Sequence, residues 1–325
     1  IPQARAQLKT LDRRLLDGGL FAPLASDGTF GPATALDQAA VLWASASLIS
    51  AATSEAQDYW HRAFADLTDP DDSRVVAGRA FAAISALPAQ GAAARAITIE
   101  ALGRYAAVAQ DAAVKTQALK LARQHADALV AGDPTSLQDV ALSIYGLVEA
   151  GRLLDDQNYI DTAMQVFRRD LMARWSDTAG VFVAPDGTAA YTPQTIGAVI
   201  AALNAVRWYG PDDQAAVAAG LYPVFFENAI VRSGLLRASP RALVSAKYLE
   251  SRPAESFAHP ALPEPAEAGV AAVFAAGARF ENGVWSVTNP IFETGPAMFL
   301  ANMLALQTDG QADTFLTDDQ LQSIR

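Results

Sequence analysis

Apolar residues recur along this chain with the period of helices, and two kinds of helix alternate. One kind is apolar nearly all round. Segments 35–52, 92–109, 136–150, 193–208 and 294–307 carry almost no charge and are rich in Ala, Leu, Ile and Val, as a helix surrounded by other helices should be. The other kind, at 55–67, 112–131, 156–174 and 212–227, mixes apolar with charged positions and predicts one face in water. Residues 2–16 belong to this second kind, with Leu8, Leu11, Leu15 and Leu16 on one side and Gly18-Gly19 as the stop. An extra helix is expected over 72–87, ending before Pro88. Near the C-terminus, 240–250 reads as an inner helix and 264–277 as its outer partner.

A short polar phrase stands at the mouth of most apolar helices. Its copies are Leu36-Asp37-Gln38, Leu137-Gln138-Asp139, Thr192-Pro193-Gln194 and Phe292-Glu293-Thr294, with a weaker one at Ile97-Thr98-Ile99-Glu100. Hairpins of roughly 45–60 residues therefore repeat along the chain, the signature of stacked helical units. A single hairpin leaves its apolar face uncovered, so the hairpins must pack on one another. Six of them can close into a ring or stay open as a solenoid. The expected fold is all-α, an (α/α)6 toroid of six hairpins with short β-hairpin loops, in one domain over 1–325.

Some connections carry strand and turn signals. They are Ala179-Gly180-Val181-Phe182-Val183 before Pro185-Asp186-Gly187, Gly234-Leu235-Leu236-Arg237, and Glu281-Asn282-Gly283 between Arg279-Phe280 and Val284-Trp285-Ser286-Val287. Asn-Gly flanked by alternating apolar residues is a strong hairpin signal. Residues 251–265, with four prolines, form the long irregular loop.

Composition narrows the chemistry. Hydrophobic residues make up 51% of 325, enough for a sizeable core, and no apolar run is expected to span a membrane. Net charge is −11 without a basic cluster, which argues against a nucleic-acid surface. Cysteine is absent, which excludes disulfides, thiol nucleophiles and thiolate metal sites. The three histidines, His61, His125 and His259, are scattered. No transition metal and no cofactor is expected. Loop carboxylates Asp69, Asp71 and Asp72 are the place for a hard cation, if any. No P-loop, GxGxxG turn or GxSxG elbow occurs. The start at Ile1 reads as a processed chain or a fragment of a longer one.

The stretch 136–183 resembles the six-hairpin glycosidase-like superfamily, whose members fold as (α/α)6 toroids. The nearest patterns are the helical region of thioredoxin-domain proteins related to spermatogenesis-associated protein 20 and the N-acylglucosamine epimerase group. The resemblance is carried by Asp139 at an inner helix mouth, Asp156-Gln157-Asn158-Tyr159-Ile160, Trp175, Asp177 and the turn Gly180-Val181-Phe182, with a second Gly-aromatic turn at Gly19-Leu20-Phe21. A thioredoxin-like domain and the epimerase histidines have no counterpart here.

The resemblance implies a central cleft ringed by the mouths of the inner helices. Paired carboxylates there can hydrolyse a glycosidic bond, one protonating the leaving oxygen and the other activating water or attacking. On that reading Asp139 and Glu293 are the catalytic pair, and Asp37, Glu100, Tyr191, Gln194 and Trp285 bind a carbohydrate. Carboxylates at helix mouths also act as caps. Among further aromatics, Trp175, Tyr248 and Phe292 are near loops, whereas Trp43 and Tyr145 read as core. The alternative is a non-catalytic toroid serving as a structural or interaction domain of a larger assembly, with a protein partner.

Overall fold

The computed structural model describes residues 2–25, 27–53, 70–87, 89–238, 272–290 and 293–306. These are mostly helical, with ten α-helices and nine short strands. The helices are α1 (Pro2–Arg14), α2 (Ala35–Thr53), α3 (Asp71–Ala86), α4 (Gly91–Val108), α5 (Ala112–Val130), α6 (Leu137–Leu154), α7 (Gln157–Val166), α8 (Pro193–Tyr209), α9 (Asp212–Phe226) and α10 (Thr294–Leu306). The strands are β1 (Leu16–Asp17), β2 (Leu20–Phe21), β3 (Trp175–Ser176), β4 (Val181–Phe182), β5 (Ala189–Tyr191), β6 (Leu236–Ala238), β7 (Ala272–Phe274), β8 (Gly277–Glu281) and β9 (Val284–Asn289). The chain forms two compact units, Ile1–Ala173 with Ala201–Ala218, and Arg174–Ile200 with Ala219–Arg325.

In the first unit α2, α4 and α6 form a row, each against the next, with α3 packed on α2, α5 on α4 and α7 on α6. The burial follows the sequence pattern. From Val140 to Val148 every residue of α6 is buried, whereas α5 buries only Ala118, Ala122, Ala126 and Leu129, a single stripe at helical spacing. Small residues let α4 and α6 approach closely. A Cβ on Gly146 would lie 2.8 Å from the Ala96 Cβ, and one on Gly103 would lie 3.2 Å from Leu153. The constant offset between these pairs shows that α4 and α6 run parallel.

Two expectations change, and others fall outside the described residues. The helix over 72–87 is present as α3, but as the partner packed on α2 and α1 and not as an extra. The helices expected at 55–67 and 240–250 and the proline-rich loop lie outside the described residues. The end of the helix expected over 264–277 is extended: β7 pairs with β6, and Gly277 already opens β8. The Ala-rich run there looks helical by composition, but Val273, Phe274 and the closing Gly277 suit a paired strand.

The second unit is built around strands and aromatic rings. β8 and β9 form the hairpin expected from Asn282-Gly283, with φ of 52° and 79° at the two turn residues, and β5 adds to β8. β3 and β4 pair across a turn in which Gly180 has φ +64°, and a side chain there would run into Asn228. α10 buries Ala297, Leu300 and Met303 and leaves Met298 56% exposed, so it is one-sided and not surrounded as its composition suggested. Ala35–Thr53 and Asp212–Arg232 are long and apolar enough, by length and composition, to cross a membrane, contrary to the expectation of no such run. Half of the first stretch is buried inside the fold, which accounts for apolar residues there without a bilayer.

Candidate functional site

Three of the polar phrases at the helix mouths contain or adjoin a side-chain cap. Thr34 precedes α2, and its hydroxyl accepts from the Asp37 N–H at 3.2 Å while Asp37 Oδ2 accepts from the Thr34 N–H at 2.8 Å and hydroxyl at 2.7 Å. Ser136 and Asp139 make part of the same arrangement at α6, without the bond to the Ser136 backbone N–H. The Ser136 hydroxyl accepts from the Asp139 N–H at 3.0 Å and donates to Asp139 Oδ2 at 2.7 Å. The arrangement at α2 is the reciprocal capping box, with Asp in place of the usual Glu. At α8 Thr192 caps by accepting from the Thr195 N–H at 3.1 Å, and Gln194 is half-buried beside it. Glu293 is exposed just before α10, where its carbonyl accepts from the Ala297 N–H. The buried polar group of the first phrase is Gln38. Its Oε1 accepts from Phe21 N–H at 3.0 Å and its Nε2 donates to Phe21 O at 2.7 Å, so it pins β2 to α2 as a neighbouring strand would.

Glu100 is different and does not occupy a helix mouth. It lies in the middle of α4 and is only 7% exposed. Its carboxylate is ion-paired with Arg104 Nε one turn on, and it lies close enough to the buried Tyr145 hydroxyl on α6 to raise that hydroxyl's pKa. Glu149, one turn beyond Tyr145, interacts with both Tyr145 and Arg104. Burial first, then the Glu100 and Glu149 carboxylates, push the Tyr145 hydroxyl well above its ordinary pKa. Arg104 is held above its usual value although burial opposes this, because the Glu100 and Glu149 carboxylates lie beside it. Its guanidinium lies 5.9 Å from the Trp43 ring centroid on α2. Glu149 also pairs with Arg152 at 3.0 Å, and Arg152 covers the Tyr209 ring at 4.2 Å.

The first unit thus gathers two carboxylates, two guanidiniums and a phenol on its inner helices. Such a set can lock neighbouring helices in register, or hold a polar ligand beside the half-buried Trp43 ring. Of the expected site residues only Glu100 belongs to it. The others were legible as charges on otherwise apolar helices, at Glu100/Arg104 and Glu149/Arg152 spacing. Tyr145 is buried as expected, but it is also the polar bridge between α4 and α6. Trp43 is half-buried under Arg104 and not core.

Tyr191 and Trp285 are packing residues of the second unit. Tyr191 is 1% exposed and its hydroxyl donates to Phe182 O at 2.6 Å. Its ring meets Phe225 at 5.7 Å and Trp285 at 5.8 Å between centroids. A side chain with its ring enclosed and its hydroxyl satisfied offers nothing to a sugar, which corrects the expectation for Tyr191. Trp285 is half-buried between Tyr191 and Phe280. Trp175 donates its indole N–H to Asp177 at 2.8 Å and sets its ring edge-on to Phe182, so the aromatic–Asp–Gly motif forms one closed turn.

Asp72 is bridged by Arg5 and Lys9, and Asp71 by Arg74, so these carboxylates have cationic partners from the protein itself. Among the described residues no group of three His, Asp or Glu is placed to hold a metal ion. His125 is half-buried on α5, and its pKa is lowered by burial and by Arg95. His61, His259, Asp69, Tyr248 and Phe292 lie outside the described residues. A cavity of about 190 Å³ lined by Ile49, Arg74, Tyr105, Val108 and Asp111 is below the roughly 300–1,000 Å³ of ordinary ligand pockets.

No protein-family model matches this chain, and no curated protein is detectably similar to it in sequence.

Proposed function

We propose that this chain is a helical-hairpin domain of the α/α-toroid type that acts as a non-catalytic binding or interaction module. The row α2–α4–α6, in which α4 and α6 run parallel, with a partner helix packed on each member, supports the hairpin repeat. Closure of the repeat into a ring is part of the proposal.

One observation carries the non-catalytic reading. Asp37 and Asp139, which glycoside chemistry would need free at the helix mouths, each accept two hydrogen bonds or complete a cap with the Thr or Ser three residues earlier. A capping carboxylate is already occupied in the folded protein. The test is a hydrolysis and binding screen of the intact chain against a panel of glycans. The proposal expects no turnover of any of them.

A second reading is favoured by the Glu100–Arg104–Tyr145–Glu149 cluster beside Trp43. Two glutamates close to one phenol and a half-exposed indole are the elements of a small carbohydrate site, with Trp43 as the stacking surface. Under this reading Glu149→Gln abolishes turnover of a glycan substrate while the melting temperature stays within a degree or two of the unmodified chain.

A further inference from the structure

Asn204 on α8 is wholly buried, and neither its Oδ1 nor its Nδ2 has a hydrogen-bond partner among the described residues. One turn on, the Trp208 Nε1 is also buried and unpartnered among them. Positions i and i+4 share a helix face, with Cβ atoms about 5–6 Å apart. One small group between the two side chains can therefore reach both. The surroundings on α8 are apolar: Ile200, Ala201, Leu203 and Ala205 are all buried. In such a place an unpaired polar group costs about 1–3 kcal/mol, and buried polar atoms that lack protein partners are characteristically satisfied by ordered water or ligand.

We propose that Asn204 and Trp208 form a binding site for a neutral hydroxyl oxygen, supplied by a buried water or by an uncharged polyol. The chemistry selects this class. The carboxamide presents one acceptor and two donors, and the indole presents one donor. A hydroxyl can donate to Asn204 Oδ1 while accepting from Asn204 Nδ2 or Trp208 Nε1. An anion cannot use Oδ1. A cation faces N–H groups and the Arg207 guanidinium, 5.0 Å from the Trp208 ring centroid. The site is independent of the helix caps and of the Glu100 cluster, so it stands whichever reading of the function holds.

A high-resolution crystal structure of the intact chain decides the matter. The expected result is an ordered oxygen within about 2.7–3.2 Å of both Asn204 and Trp208. An empty, dry space there, or protein groups pairing with the Asn204 carboxamide, overturns the proposal. Thermal-shift titrations with glycerol, inositol and glucose then separate the two sources. A saturable rise in melting temperature that is lost in Asn204→Leu identifies a polyol. An ordered oxygen with no such rise identifies water. Trp208→Phe, which removes only the indole N–H and part of the ring, should leave the oxygen held by Asn204 alone, and provides the comparison if Asn204→Leu does not fold.

Discussion

The two compact units are held by different means. In the first, Ala and Gly bring helix backbones together, as at Gly146 against Ala96, and a charged network ties the inner helices across that close packing. In the second, large rings do the work: Phe182, Phe225, Tyr191 and Trp285 pack in succession. The difference shows that residue type alone misleads about function in opposite directions. Charges on an apolar helix look functional and are first of all neutralised by one another. Aromatics near loops look like ligand platforms and are first of all a core.

The largest expected effect tests the aromatic side of this contrast. Tyr191→Ala should cost about 3–5 kcal/mol, because it empties the centre of the ring cluster. Tyr191→Phe should cost about 1–2 kcal/mol by leaving the Phe182 carbonyl unpaired. Both are read by urea unfolding, and a negligible loss for Tyr191→Ala would mean that the cluster does not hold the unit.

The helix-packing side is tested next by Gly146→Val. Its Cβ would meet Ala96 backbone at 2.9 Å, so a loss of about 1–3 kcal/mol is expected from overpacking. Arg104→Met should cost about 2 kcal/mol, between the exposed and buried limits for a broken ion pair, since Arg104 is partly exposed while Glu100 is not. The double variant Arg104→Met with Glu100→Gln should recover part of that loss in a double-mutant cycle.

Smaller effects belong to the caps and surface pairs. Ser136→Ala and Thr34→Ala should each cost about 1 kcal/mol, measured by thermal unfolding. The carboxylates of Asp72, held low by Lys9 and Arg5, and of Asp156, held low by Arg123 and Asn158, give a pH dependence. Their folded pKa lies below the unfolded value, so their contribution is complete above the ordinary Asp pKa of about 3.9 and is lost as pH falls through the folded value. The melting temperature should therefore be insensitive to these pairs from pH 7 to 5 and drop below pH 4. Lys9→Met and Arg123→Met should shrink that drop.

Much of the helical frame was legible in the sequence because apolar period and turn chemistry act locally. The alternation of α4, α5 and α6 and the Asn282-Gly283 hairpin follow from residues adjacent in the chain. What escaped depends on partners far away in sequence. Glu100 was grouped with the helix-mouth phrases although it falls in the middle of the helix expected over 92–109, and its meaning lies in Tyr145 on another helix. Ala272–Phe274 looked helical because Ala dominates, yet pairing with Leu236–Ala238 made it a strand. At Asp37 and Asp139 the Thr and Ser three residues before each already spelled a capping role.

We propose that the Asp37 and Asp139 carboxylates stabilise the fold and perform no chemistry. This is tested most directly by comparing unmodified chain and Asp139→Asn in the same glycan-hydrolysis assay, with melting temperature measured alongside. The account predicts no turnover in either protein and a melting temperature lowered in the variant by the loss of a cap. Turnover by the unmodified chain that disappears in Asp139→Asn, with the melting temperature intact, would contradict it.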